Sequence, residues 1–166
     1  MNDEEYLKRK YKAIMHKELD LENPKAFNEK LQWLKINDHN PDYTMMVDKY
    51  RVRDYIKKRI RWRISYPIAR CMGWSRWYRF DSLPDQFVLK CNHNSGLGMC
   101  ICKDKSKLDI EKVKKELRKG LKQDYYLTGR EWPYKNVPRK IIAEKYMIDK
   151  THKELMDYKF MCLMAR

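Results

Sequence analysis

Apolar residues recur at helical spacing over residues 4–18 (Tyr6, Leu7, Tyr11, Ile14, Met15), with lysines and Arg9 on the opposite face, which predicts an amphipathic helix. Asn23-Pro24 opens a second helix carrying Phe27, Leu31, Trp33 and Leu34, and Asp38 to Pro41 break it. Thr44 reads as the cap of a third helix through about Lys58, with Met46, Val47, Tyr50, Val52, Tyr55 and Ile56 as its apolar content. From Ser82 onward the period shortens. The turn Ser82-Leu83-Pro84-Asp85 feeds a short apolar strand (Phe87, Val88, Leu89). A polar, glycine-containing loop (Asn92 to Gly98) and a second strand (Met99 to Cys102) follow, and two strands about a small-residue turn make a hairpin. Leu108, Ile110, Val113, Leu117 and Leu121 predict another amphipathic helix, with Asp109 and Glu111 where the helix dipole favours them. After a loop punctuated by Gly129, Trp132-Pro133 and Val137-Pro138, Lys140 to Met147 and Asp157 to Cys162 read as strands. The fold class expected is α/β (α+β), with helices at the N-terminus and strands after them.

The hairpin is the stretch with chemistry in it. Lys90 stands at the end of the first strand, and Ser95, Gly96 and Gly98 let backbone N–H groups converge on an anion while the lysine adds a point charge. The spacing Ser95-Gly96-Leu97-Gly98 is neither a Walker A loop nor a GxGxxG fingerprint, so an ordinary hairpin with a glycine turn fits the same residues.

Composition narrows the class. An apolar fraction of 43% and a charged fraction of 37% fit a soluble globular protein, and no run approaches the roughly 20 apolar residues of a membrane span. The acidic start (Asp3, Glu4, Glu5) is unlike a secretory signal, and a cytoplasmic protein is expected. Five cysteines without a CxxC pair read as small buried hydrophobes in a reducing compartment, with no zinc site and no disulfide framework. The formal charge of +15 is unevenly spread: residues 61–80 hold Arg61, Arg63, Arg70, Arg76 and Arg79, three of the five tryptophans and no acidic residue. Without that segment the charge is +10, and the argument for a nucleic-acid partner weakens accordingly.

Several stretches, in order, resemble the TupA-like ATP-grasp family, which is associated with polysaccharide and teichuronic-acid biosynthesis. They are NPKAFNEKLQWLK (Asn23 to Lys35), DKYRVRDYI (Asp48 to Ile56), LPDQFVLKCNHNSG (Leu83 to Gly96), REWPYKN (Arg130 to Asn136), IIAEKYM (Ile141 to Met147) and DYKF (Asp157 to Phe160). The resemblance implies ATP as cofactor. Lys49 and Lys90 would be its two phosphate lysines, and the loop holding Asn92, Ser95, Gly96 and Gly98 would close over the β- and γ-phosphates. Glu144 to Met147, with Glu144 and Tyr146 in particular, would form the hinge strand at the adenine. It also implies Mg²⁺, held by acidic and amide residues that the family carries beyond the point where this chain stops, so an inactive fragment is expected. The parent activity would be ATP-dependent activation of a carboxylate through an acyl-phosphate, with an unidentified carboxylate or glycan-precursor acceptor. His93 is given no catalytic role.

The domain organisation expected is a helical portion over 1–60, an anomalous Arg/Trp-rich segment over 61–82, an ATP-grasp lid subdomain over 83–147, and the start of a truncated part over 148–166. The anomalous segment and the last five residues can each be encoded so that a single-base shift restores a family-like pattern, which the encoding DNA tests. As written, an Arg/Trp-rich segment is expected to leave neighbouring strand edges unpaired. Two other readings share the residues. One is a basic nucleic-acid-binding module using the arginines and tryptophans of 61–80. The other is a glycosyltransferase-associated protein without ATP chemistry, in which the Lys90 loop is only a hairpin.

Overall fold

Helix α1 (Asp3–Met15) begins where Asn2 accepts a 2.8 Å hydrogen bond from the Glu5 N–H, with Asp3, Glu4 and Glu5 at the positive end of the dipole. In the computed structural model, which describes residues 1–60, 68–72, 80–149, 151, 155, 156, 158 and 160, α1 ends at His16 in the left-handed conformation. Its inner face buries Leu7 and Tyr11 with Leu19, and Ile36 of helix α2 (Phe27–Asn37) packs on that cluster. Glu29 reaches back to the N–H groups of Lys25 and Ala26, at 2.9 and 2.8 Å, and so satisfies donors left free at the start of α2.

The single third helix expected over 44–58 is two helices, α3 (Asp42–Val47) and α4 (Val52–Ile60). Asp48 makes the break. Its carboxylate accepts from the N–H groups of Tyr50 and Arg51, and its carbonyl from that of Val52, a side-chain-to-backbone pattern that competes with helix continuation and starts the next helix instead.

Among the described residues four strands form one antiparallel sheet: β1 (Ile68–Met72), β2 (Phe87–Cys91), β3 (Met99–Cys102) and β4 (Ile141–Lys145), in the order β1-β4-β2-β3. Phe87, Leu89 and Cys91 of β2 and Ile141 and Ala143 of β4 lie on one face and pack against Val113, Leu117 and Leu121 of helix α5 (Ile110–Lys122). Full burial of a large apolar side chain such as Phe87 or Leu117 is worth about 1.5–3 kcal/mol, which makes this the core that fixes the sheet. α5 is capped by Asp109, whose carboxylate accepts from the Lys112 N–H at 2.9 Å.

The expectation of an unpaired edge around 61–82 is corrected: Ile68–Met72, within that segment, pairs along β4 with a register irregularity between Ile68 and Arg70. A β-branched residue and the short run after it suffice to extend the ladder, because backbone groups and not side-chain charge make the pairing. Residues 61–67 and 73–79 of the segment lie outside the described residues, as does most of the strand expected over 157–162. The chain is thus mixed helix and antiparallel sheet.

Candidate functional site

Strand register decides what meets on the sheet's second face. Val88 pairs with Glu144 and Lys90 with Ile142, so Lys90 and Glu144 are diagonal neighbours projecting from the same side. Lys90 Nζ lies 2.6 Å from one carboxylate oxygen of Glu144, and Arg53 Nη2, from α4, lies 2.9 Å from the other. Glu144 thereby holds two cations at once. The second Arg53 nitrogen, Nη1, is buried with no hydrogen-bond partner among the described residues.

Lys49 joins this group from the turn between α3 and α4. Its main-chain N–H donates to the Asn92 carbonyl at 3.2 Å, and its ammonium donates to the Asn94 carbonyl. Burial, and next the neighbouring Lys90 ammonium, hold the Lys49 pKa below the ordinary lysine value, against smaller opposing contributions from Cys91, Glu144 and Asp48. Half-buried like-charged ammonium groups are a costly arrangement that a bound anion would relieve.

Asn92 is a keystone inside the chain. Its Nδ2 donates to the Asp48 carboxylate at 2.8 Å and to the Pro138 carbonyl at 2.9 Å, while its Oδ1 accepts from the Lys140 N–H at 2.6 Å. Its own N–H donates to the Lys140 carbonyl at 3.0 Å. With its side chain fully buried, it joins the α3–α4 turn, the end of β2 and the approach to β4, and so shapes the loop that Ser95, Gly96 and Leu97 present to solvent. Asn94 anchors the same loop to α5, donating to the Gly120 carbonyl and the Gln123 side-chain oxygen.

Gly96 and Gly98 both adopt positive φ, +80° and +69°. They differ in surroundings. A Cβ on Gly96 would meet nothing within 4 Å, whereas one on Gly98 would lie 2.8 Å from both Gly120 Cα and Cys91 Sγ. Loop backbone and helix backbone touch there, and Cys91 fills the remaining space. Burial pushes the Cys91 thiol up to about 11, so it packs as an apolar group and not as a thiolate. His93 is buried, with Nε2 3.1 Å from the Gln123 carbonyl and Nδ1 unpartnered among the described residues. Burial lowers its pKa, and Arg139 and Lys49 add to that.

Tyr146, just past β4, lines a cleft of about 950 Å³ at the ends of β2, β3 and β4, together with Pro84, Gln86, Lys103, Asp104 and Lys145. Of the residues expected at the site, the fold brings Lys49, Lys90, Asn92 and Glu144 together. Ser95 and Gly96 stand at the exposed loop tip, and Tyr146 lies beyond the end of β4. Asp48, Arg53, Asn94 and Gly120 are additional. Asp48 had a legible signal, an aspartate just ahead of a helical run at a cap position; the role of Arg53 follows only from the register that brings α4 to Glu144. Among the described residues no group of three or more His, Cys, Asp or Glu side chains could hold a metal ion. No described helix is long and apolar enough to cross a membrane.

The family model described as TupA-like ATPgrasp matches residues 29–166. Neither the curated proteins nor the solved structures contain a match to the chain.

Proposed function

The chain belongs to the TupA-like ATP-grasp family, and we propose that it binds ATP, with the triphosphate on Lys49, Lys90 and the 92–98 loop and the adenine toward Tyr146 at the end of β4. The observation that carries this reading is the grouping of Lys49, Lys90 and Arg53 about the single carboxylate of Glu144. Fully formed ion pairs need no ligand, but among the described residues Lys49 has no carboxylate partner and Arg53 Nη1 has no hydrogen-bond partner. Phosphate oxygens satisfy such donors with charge-assisted hydrogen bonds, and Lys90 can exchange Glu144 for a phosphate without leaving its strand. The cleft beside Tyr146 has the volume for a nucleoside.

In the whole reaction that this reading implies, a carboxylate oxygen of the acceptor attacks the γ-phosphorus. The bond to the ADP oxygen breaks, and a nucleophile then displaces phosphate from the acyl-phosphate. Cell-surface polysaccharide assembly is the setting we propose for it, and Mg²⁺, when bound, would supply charge neutralisation at the phosphates. Binding, and not turnover, is what Lys49, Lys90 and the loop account for.

Equilibrium dialysis of ATP against the chain in the presence of EDTA tests this directly. Saturable binding, competed by ADP and lost in the Lys49→Met/Lys90→Met double variant, is the expected result. Absence of saturable binding, or binding indifferent to the double substitution, would sink the proposal.

A further inference from the structure

A second cleft, of about 240 Å³, opens between α1 and α2, well away in sequence from the sheet. Tyr11, Ile14 and Met15 of α1 supply an apolar wall, and Asn28, Gln32 and Lys35 of α2 supply the polar one. The apolar wall is unusual in being left open, since Ile14 is 62% exposed although it follows the buried residues of its own helix face.

Lys35 is the polar feature that asks for a ligand. Its ammonium is half-buried and has no hydrogen-bond or ion-pair partner among the described residues. Burial lowers its pKa, Lys10 lowers it further, and Glu131 pulls the other way from beyond ion-pair distance. Lys10, which also borders the cleft, is already engaged. It donates to the Thr128 carbonyl at 2.8 Å and lies over the Tyr6 ring. Lys35 therefore borders the cleft with an ammonium uncommitted among the described residues. The amides beside it have donors to spare, because the Asn28 Nδ2 contact is only to Met15 Sδ at 3.9 Å and Gln32 Nε2 makes one bond, to the Asn28 carbonyl.

We propose that this cleft binds a small monocarboxylate with an apolar body, its carboxylate on Lys35, Asn28 and Gln32 and its body on Tyr11, Ile14 and Met15. A neutral ligand would leave the ammonium desolvated and unpaired. A dianion such as phosphate would bring a second charge with no free cation among the described residues lining the cleft to meet it, and would gain nothing from the apolar wall. The volume equals that of about eight waters, which suits an acid of roughly six to eight carbons. The site stands apart from the ATP reading: none of its side chains contributes to the Lys49–Lys90–Glu144 group.

The experiment is a calorimetric titration of the chain with hexanoate, hexan-1-ol and inorganic phosphate, repeated on Lys35→Gln and Lys35→Arg. Hexanoate should bind saturably, hexanol and phosphate should not, and Lys35→Gln should weaken hexanoate by about tenfold or more while Lys35→Arg retains it. ATP binding, measured alongside, should be the same in all three proteins. In the wild-type chain with ¹³C-methylated lysines, saturating hexanoate should raise the Lys35 pKa, a readout that needs no variant to fold. No saturable hexanoate binding, equal binding of hexanol, an unaffected Lys35→Gln variant, or an unmoved Lys35 pKa would each overturn the assignment.

Discussion

The carboxylate of Asp48 and the amide of Asn92 meet at 2.8 Å with both side chains fully buried, 44 residues apart in the chain. This contact joins the two bonds that Lys49 itself makes, to the Asn92 and Asn94 carbonyls, in placing Lys49 beside Lys90. Asp48 sets the turn that carries Lys49, and Asn92 ties that turn to the end of β2, where Lys90 immediately precedes the core residue Cys91.

Asn92→Ala should therefore be among the most damaging substitutions in the described chain. It deletes the bonds to Asp48, Pro138 and Lys140, and leaves a buried carboxylate whose Oδ2 already lacks a partner among the described residues. The expected loss is about 2–4 kcal/mol, from buried polar groups stripped of their partners. Urea denaturation followed by circular dichroism measures it. A change in midpoint no larger than that of a surface substitution would mean that Asn92 is not the keystone.

Which parts were legible follows from what the signals were. α1, α5, the β2–β3 hairpin and β4 announce themselves because burial on one face imposes a period on the sequence. Phe87, Leu89 and Cys91 alternate with Val88 and Lys90, and Val113, Leu117 and Leu121 recur at helical spacing. The break at Asp48 is hidden, since apolar residues continue on both sides of it and only a side-chain-to-backbone bond interrupts the helix. Lys90 stands out at the mouth of the glycine loop and Lys49 only through the family resemblance, while the partnership of Arg53 with Glu144 spans 91 residues and depends on how α4 packs on the sheet, which no local pattern encodes.

Lys49→Met should separate stability from binding. The substitution removes a desolvated ammonium that faces Lys90, at the expense of one hydrogen bond to the Asn94 carbonyl. Opposing effects of this size leave a net change within about 1 kcal/mol, while ATP affinity falls by about tenfold or more with the loss of a charge-assisted contact. Thermal melting and equilibrium dialysis on the same preparation give both numbers. A variant that melts far below the wild type would show that the lysine is structural.

Stability should fall on acidification because of His93. Its folded pKa lies below the ordinary 6.5, chiefly through burial, so the unfolded chain takes up a proton that the folded chain resists. The stability it contributes is complete above 6.5 and is lost as pH drops from there toward the folded value. Asp124, the one carboxylate among the groups acting on it, opposes the shift, and Arg139 and Lys49 reinforce it. Urea midpoints between about pH 7.5 and pH 5 should decline more steeply for the wild type than for His93→Gln, which has no proton to gain. Parallel slopes would place the pH sensitivity elsewhere.

The two loop glycines should respond differently to the same methyl group. At Gly96 an alanine meets open space, and the left-handed backbone alone costs about 1 kcal/mol. At Gly98 the same strain is joined by a clash with the Gly120 backbone, which cannot turn aside as a flexible side chain would, and with Cys91, which is locked in the core. Gly98→Ala should therefore exceed Gly96→Ala by about 1–3 kcal/mol, the usual penalty of overpacking. The reverse substitution supplies the control. Because Gly120 sits across the contact, Gly120→Ala should also be severe, with its Cβ 2.6 Å from Gly98 Cα. Combining it with Gly98→Ala should cost less than the sum, since the first displacement already parts the two backbones. Additive losses in the double variant would mean that loop and helix do not share one contact, and the anchoring of the 92–98 loop on α5 would have to be sought in Asn94 and Gln123 alone.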